Sequence, residues 1–185
     1  VIRLIGPGGA GKSSTGPLLA ERLGARFVDL DERFGATVGD ISKYIDSQGY
    51  DAYAATNVQV YADVIRDAAS QDCVLALSSG FMTYREDIHP AYAQIRNDIA
   101  TSPTTFVLLP SRDFETCVAE TVRRQQGRAF RRSAEREEQA IRSRFAVHRD
   151  LPVTMIETMR PVAEVAEAIV ANIAAQRGAG LGASQ

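Results

Sequence analysis

The stretch Gly6-Pro7-Gly8-Gly9-Ala10-Gly11-Lys12-Ser13 has the spacing G-x-x-x-x-G-K-S. A loop of this kind lets the backbone curl until several N–H groups face one shell of phosphate oxygens. A helix beginning near Lys12 adds the positive end of its dipole. Lys12 is then expected to reach the β- and γ-phosphates, and the Ser13 hydroxyl to hold Mg²⁺. The motif needs a strand before it and a helix after it. Residues 1–5 are a short apolar run, and residues 13–23 carry an apolar face of Leu18, Leu19 and Leu23 closed by Gly24. The chain is expected to bind a nucleoside triphosphate, which leaves open what becomes of the γ-phosphate.

Phosphoryl transfer needs an acidic group near the metal and a group that orients or deprotonates the attacking hydroxyl. Asp29-Leu30-Asp31 offers both at the end of a second apolar run, Phe27-Val28. A spacing of two puts both carboxylates on one face if the strand persists. Asp29 is expected in the metal's water shell and Asp31 at the acceptor hydroxyl. The competing reading makes Asp31 a solvated helix cap. Ser78-Ser79-Gly80 follows the apolar run 74–77. It could donate backbone N–H groups to a substrate or to the γ-phosphate, or serve only as a turn. Residues 123–149 hold nine of the chain's 19 arginines. That density points to a lid, over about 124–138, that closes on the phosphates and excludes water. The interleaved Glu135, Glu137, Glu138 and Asp150 leave a solvated helix face as the alternative. His89, before Pro90, reads as a local cap. His148, one helical turn from Arg144, could face the cleft but reads first as a surface residue.

These residues need a frame. Residues 50–69 repeat apolar side chains at helical spacing (Tyr53, Val60, Tyr61, Val64, Ile65), as do 113–126 and 161–175. Shorter helices are expected within 35–49, where Ile41, Tyr44 and Ile45 share a face, and within 85–100. A longer helix is expected over 134–149. Residues 105–109 and 152–156 read as further strands. Strands alternating with helices predict an α/β fold, a central five-stranded parallel sheet in a three-layer α/β/α sandwich. Ligands gather at the carboxyl ends of such strands. The glycine loop, Asp29-x-Asp31 and Ser78-Ser79-Gly80 all fall there. One domain over 1–176 is expected, with the small-residue tail 177–185 disordered.

Bulk properties exclude several classes. A formal net charge of −2 gives no general basic field for nucleic acid or an anionic membrane. No apolar run approaches the roughly 18 residues that span a bilayer. Cys73 and Cys117 show no metal-ligand spacing and no CxxC pair, so buried free thiols in a reducing cytoplasm are expected. The start reads as a strand and not as a signal peptide, and the absence of Met at position 1 is expected of a chain trimmed by a few residues. The expected partner is a small molecule, and the expected state a monomer.

Together these stretches resemble the shikimate kinase family, within the nucleoside-monophosphate-kinase-like P-loop kinases. The resemblance rests on residues 6–14, Phe27-Val28-Asp29-Leu30-Asp31-Glu32-Arg33, residues 39–49 and Leu75-Ala76-Leu77-Ser78-Ser79-Gly80. It continues through the lid containing Arg128 to Arg144, before a short strand and a closing helix. It implies a P-loop kinase with a mobile lid, ATP and Mg²⁺ as cofactors, and phosphorylation of a shikimate hydroxyl in aromatic amino acid biosynthesis. Position by position, it implies ATP contacts from Gly8, Gly9, Ala10, Gly11, Lys12, Ser13 and Ser14. Adenine would lie between Arg124 and Pro161. Ser13 and Asp29 would support the metal, and Asp31 would meet the shikimate hydroxyls as base. Arg128, with Arg131 as rival, is the implied lid arginine, and Arg144 the implied partner of the substrate carboxylate. The acceptor subregion would be about 31–70.

Two departures bear on the acceptor. The family's Phe-Arg pair after the glycine matching Gly49 is here Tyr53-Ala54, so a second carboxylate-binding arginine is absent. The family's Gly-Gly-Gly after the third strand is here Ser78-Ser79-Gly80, which adds two hydroxymethyl groups. Tyr53, Asn57 and Tyr84 are candidates for replacement contacts. Other readings are a kinase of the same fold acting on a sugar acid or an antibiotic, a non-catalytic domain that senses a metabolite, and a nucleic-acid-processing ATPase. Retention of Lys12, Ser13, Asp29 and Asp31 together weighs against the sensor. Small size and the placement of D-x-D weigh against the ATPase.

Overall fold

In the computed structural model, residues 1–126 and 134–182 are described. Five strands form one sheet: β1 (Ile2–Ile5), β2 (Arg26–Asp29), β3 (Cys73–Ala76), β4 (Thr105–Leu109) and β5 (Thr154–Glu157). Their order is β2-β3-β1-β4-β5, and every pairing is parallel. Parallel neighbours require long crossovers. Helices supply them: α1 (Lys12–Leu23), α2 (Leu30–Thr37), α3 (Ile41–Gln48), α4 (Tyr50–Asp67), α5 (Tyr92–Thr101), α6 (Phe114–Gln126) and α7 (Ala134–Arg149); α8 (Val162–Gly182) follows the last strand.

Alternation along the strands feeds two cores. Leu4, Phe106 and Leu108 pack on one face against Leu19 and Ala20 of α1 and Val165 and Ile169 of α8. Ile5, Val107 and Leu109 pack on the other, against Phe34 of α2, Val58 and Tyr61 of α4, Cys117 of α6 and Phe145 of α7. Strands buried on both faces read as continuous apolar runs, which is why 105–109 was legible as a strand without polar alternation. The result is the three-layer sandwich. The chain leaves β1 toward β2 on one side and leaves β3 toward β4 on the other, so the crevice opens at the carboxyl ends of the adjacent strands β1 and β3.

Three expectations are corrected. β2 stops at Asp29, because the Asp29 side chain caps α2 by accepting the Asp31 N–H at 3.0 Å. Asp29 and Asp31 therefore straddle a strand end and a helix turn; they do not alternate on one strand. α8 continues past Ala175 to Gly182, so residues 177–182 are helical and not a disordered tail, while 183–185 lie outside the described residues. Ala and Leu among the glycines favour helix, and no proline follows to stop it. His148 is 1% exposed and belongs to the interior, not the surface. Among the described residues, no helix is long and apolar enough to cross a membrane.

Candidate active site

The glycine loop leaves β1 and enters α1. Gly6 has φ +143°, and a Cβ there would sit 2.3 Å from the Leu108 carbonyl oxygen, so the loop lies directly on β4. Gly11, at φ 97°, precedes α1 without any side-chain cap. A helix start of this kind offers the positive end of its dipole to an anion. Lys12 is 8% exposed. Its ammonium donates to the Gly6 and Pro7 carbonyl oxygens at 2.6 and 3.0 Å, holding the charge on the loop's inner rim.

Ser13 Oγ donates to Asp29 Oδ2 at 2.6 Å. A hydroxyl and a carboxylate side by side are hard oxygen donors. Among the described residues, no group of three or more His, Cys, Asp or Glu is arranged to hold a metal alone. A pair of oxygens fits Mg²⁺ better than a full cage would, since that ion keeps waters and shares phosphate oxygens.

Asp31 opens the first turn of α2; the residue is exposed on the crevice, while its carboxyl group is hemmed in by Ser78, Asp29 and Lys12. Its Oδ1 accepts the Ser78 hydroxyl at 2.5 Å. Burial raises its carboxyl above the ordinary range. The Ser78 bond pulls the other way, the nearby Asp29 charge adds to the rise and Lys12 opposes it. A carboxylate made more basic in this way suits an acceptor hydroxyl better than a solvated one does.

Behind Asp31 stands a buried polar cluster. Asn57 of α4 is fully buried and donates to Ser78 Oγ and to the Tyr84 hydroxyl, each at 2.9 Å. Tyr53, also of α4, faces Asp31; burial first, and then the Asp31 charge, push its phenol well above the usual value. Asn57 is thus too deep to meet a substrate directly, and Tyr53 nearly so. In the Ser78-Ser79-Gly80 turn both hydroxyls bond to protein groups, Ser78 to Asp31 and Asn57 and Ser79 to Arg144. Ser79 Oγ accepts from Arg144 Nη1 at 3.3 Å, and Tyr50 OH accepts from Arg144 Nη2 at 3.5 Å. A Cβ on Gly80 would lie 2.6 Å from Tyr50 OH, so a side chain there would require Tyr50 to move. Among the described residues, no carboxylate pairs with Arg144. His148 anchors it from behind, Nδ1 lying 3.0 Å from the Arg144 carbonyl. Burial holds that imidazole down to about 4, with Lys12 and Arg144 adding to the effect.

Two cavities meet at Gly9 and Gly11. One, of about 110 Å³, is lined by Lys12, Ser13, Asp29, Asp31, Ser79 and Gln125, together with Gly8 and Ala10. The other, of about 390 Å³, is lined by Ser14, Thr15, Arg124, Thr158, Arg160 and Val162. Arg124 donates to the Gly9 carbonyl at 3.2 Å and to the Thr158 carbonyl at 2.9 Å, tying α6 to the loop and to the end of β5. Pro161 does not line this cavity; Arg160 and Val162, on either side, do. Arg128 and Arg131 lie outside the described residues. The fold adds Tyr50, Gln125, Thr158 and Arg160, none of which had been singled out. Thr158 could have been found from its place just after a strand's carboxyl end.

One crevice thus holds a phosphate loop, a carboxylate bonded to that loop and a second carboxylate facing them. The family model for shikimate kinase matches residues 8–174. The chain belongs to the shikimate kinase family. The shikimate kinase of Marinomonas sp. (strain MWYL1) is 33% identical over 87 residues, 46% of this chain and 47% of that protein. The alignment thus spans about half the length of such curated relatives. Among solved structures, shikimate kinase from Acinetobacter baumannii in complex with shikimate superposes with TM-score 0.69 and 24% identity, covering 95% of this chain and 93% of that one. A gluconokinase from Sinorhizobium meliloti 1021 gives 0.61 and 18%, covering 100% and 97%. At these identities the structural likeness shows the fold. Ala54, where the resemblance implies a second arginine, is 1% exposed within the core.

Proposed function

We propose that the protein is an ATP- and Mg²⁺-dependent kinase that phosphorylates a hydroxyl of a small carboxylated alcohol, with shikimate the first candidate. The observation that carries this reading is the shared lining of the smaller cavity, where Asp31 faces Lys12, Ser13 and Asp29. ATP would lie along the glycine loop, its base and ribose in the larger cavity. Lys12, Mg²⁺ on Ser13 and Asp29, and a lid arginine, Arg128 or Arg131, would stabilise the transferring phosphoryl group. Asp31 would orient and deprotonate the acceptor hydroxyl. Arg144 would take the acceptor's carboxylate. Family membership supports the same scheme, in which a single chain would handle a small acceptor in the cytoplasm.

A second reading, a kinase of this fold for another hydroxy acid, draws on the buried Ala54. With Arg144 the sole described cation beside Ser79 and Tyr50, a two-sided arginine clamp is missing. One charge-assisted bond is worth roughly 1.5–3 kcal/mol, or about one to two decades in affinity. An acceptor panel decides. ADP release with ATP and Mg²⁺ is expected to rise above the acceptor-free background with shikimate. Stimulation only by a sugar acid or another hydroxy acid would replace the substrate and keep the kinase. No stimulation by any acceptor, with ATP bound, would favour the sensor.

A further inference from the structure

Asp31 does not hold its own orientation. Its Oδ1 is reached by the Ser78 hydroxyl at 2.5 Å, and that hydroxyl oxygen in turn accepts Asn57 Nδ2 at 2.9 Å. Asn57 is fully buried, Ser78 is 6% exposed, and the two lie on different elements, α4 and the turn after β3. The direction of each bond follows from proton counting. An amide nitrogen has two hydrogens and accepts nothing, and a serine hydroxyl has one hydrogen. Asn57 Nδ2 spends its two hydrogens on Ser78 Oγ and Tyr84 OH. Ser78 can therefore send its single hydrogen only onward, to Asp31.

The amide orientation is itself fixed. Asn57 Oδ1 is buried with no hydrogen-bond partner among the described residues. Turning the amide over would place two N–H groups where no acceptor exists, and would offer an acceptor to the Ser78 hydroxyl in competition with Asp31. Leaving one carbonyl oxygen unmet costs less than leaving two N–H donors unmet and disarming the chain. Tyr53 presents its hydroxyl to the same carboxylate at longer range, and Tyr84 lies behind it. A buried orphan acceptor is kept, on this view, because the arrangement it belongs to directs donors at Asp31.

We propose that Asn57 and Ser78 are positioning residues: Asn57 sets the polarity of the Asn57–Ser78–Asp31 chain, which fixes Asp31 Oδ1 and leaves Oδ2 for the acceptor hydroxyl. The proposal rests on the kinase reading for its catalytic consequence and on the hydrogen-bond directions alone for its structural one. Asn57→Asp is the sharpest change, since it is isosteric and replaces a double donor with an acceptor. Ser78 would then turn its hydrogen toward residue 57.

The test measures kcat and KM for both substrates in Asn57→Asp, Ser78→Ala, Ser78→Thr and the Asn57→Asp/Ser78→Ala pair. It also follows the ¹³Cγ resonance of Asp31, assigned with Asp31→Asn, at one fixed pH without acceptor. Expected are a fall in kcat of about 10- to 100-fold in Asn57→Asp and about 10-fold in Ser78→Ala, with KM for ATP within about 2-fold. Ser78→Thr should recover kcat to within about 3-fold of the parent. In the double variant the effects should not multiply, because both act through one bond. The Asp31 resonance should move in Asn57→Asp and Ser78→Ala. It should stay put in Thr104→Val, which removes a hydroxyl bonded to the Val1 carbonyl at the opposite, amino-terminal edge of the sheet. A resonance unmoved in Ser78→Ala, or full multiplication of the two losses, would overturn the proposal. If Asn57→Asp does not fold, the Ala/Thr pair at position 78 still decides. If no acceptor supports turnover in the parent, the kinase reading fails while the resonance continues to judge the chain.

Discussion

Ser13 Oγ donates to Asp29 Oδ2 across 2.6 Å, and this bond joins the phosphate loop to the end of β2. The other Asp29 oxygen accepts the Asp31 N–H at 3.0 Å, so one carboxylate links the metal side of the crevice to the acceptor side. Its two roles can be separated by substitution. Asp29→Asn keeps an oxygen for the helix cap but loses the charge. Its Mg²⁺ requirement for half-maximal activity is expected to rise about 10-fold or more. Asp29→Ala should also lose the cap, at about 1 kcal/mol. A Mg²⁺ titration and a thermal melt of both variants check this; equal melts with equal Mg²⁺ curves would contradict it.

Lys12 rests on two loop carbonyls. Lys12→Ala should retain the fold, because water can take up those carbonyls once the side chain is gone. Turnover should fall on the order of 10²-fold or more, since a preorganised positive charge is lost from the transferring phosphate. Steady-state kinetics beside a circular-dichroism melt make the measurement, and near-parental turnover would refute the role.

Arg144 lies beside two hydroxyls with no described carboxylate. Arg144→Ala should raise KM for the acceptor by about 10- to 100-fold, the equivalent of roughly 1.5–3 kcal/mol. KM for ATP should stay unchanged. A loss confined to ATP binding would move Arg144 to the nucleotide side.

His148 gives a pH signature. It is held neutral in the fold at about 4, against 6.5 when unfolded. Between those values the unfolded chain binds more protons, so stability falls as pH drops from 6.5 to 4 and is unaffected above. The full effect is on the order of 3 kcal/mol. Melting temperatures from pH 4 to 7 should show this slope, and His148→Gln should flatten it. An unchanged slope in that variant would assign the acid sensitivity elsewhere.

The parts legible in the sequence were those written locally. Residues 105–109 and 134–149 coincide with β4 and α7 because burial on both sheet faces and helical spacing are periodic signals. The loop from Gly6 to Ser13 was legible because only glycine tolerates its backbone. What stayed hidden depends on residues distant in sequence. Asn57 and Ser78 meet across α4 and β3, and nothing in either stretch announces it. Asp31 read as a continuation of β2 because a cap made by Asp29 onto a residue two positions later leaves no mark on periodicity. His148 looked like surface because charged neighbours surround it in sequence, while the fold turns it under Arg144.

The most direct measurement is of the product itself. The protein is incubated with ATP, Mg²⁺ and shikimate, and the acceptor fraction is examined by mass spectrometry and ³¹P NMR. The expected result is shikimate carrying one phosphate on a hydroxyl, in amounts equal to the ADP formed and absent with Asp31→Asn. Phosphate released to water with no phosphorylated acceptor, or a phosphorylated acceptor formed equally well by Asp31→Asn, would contradict the account.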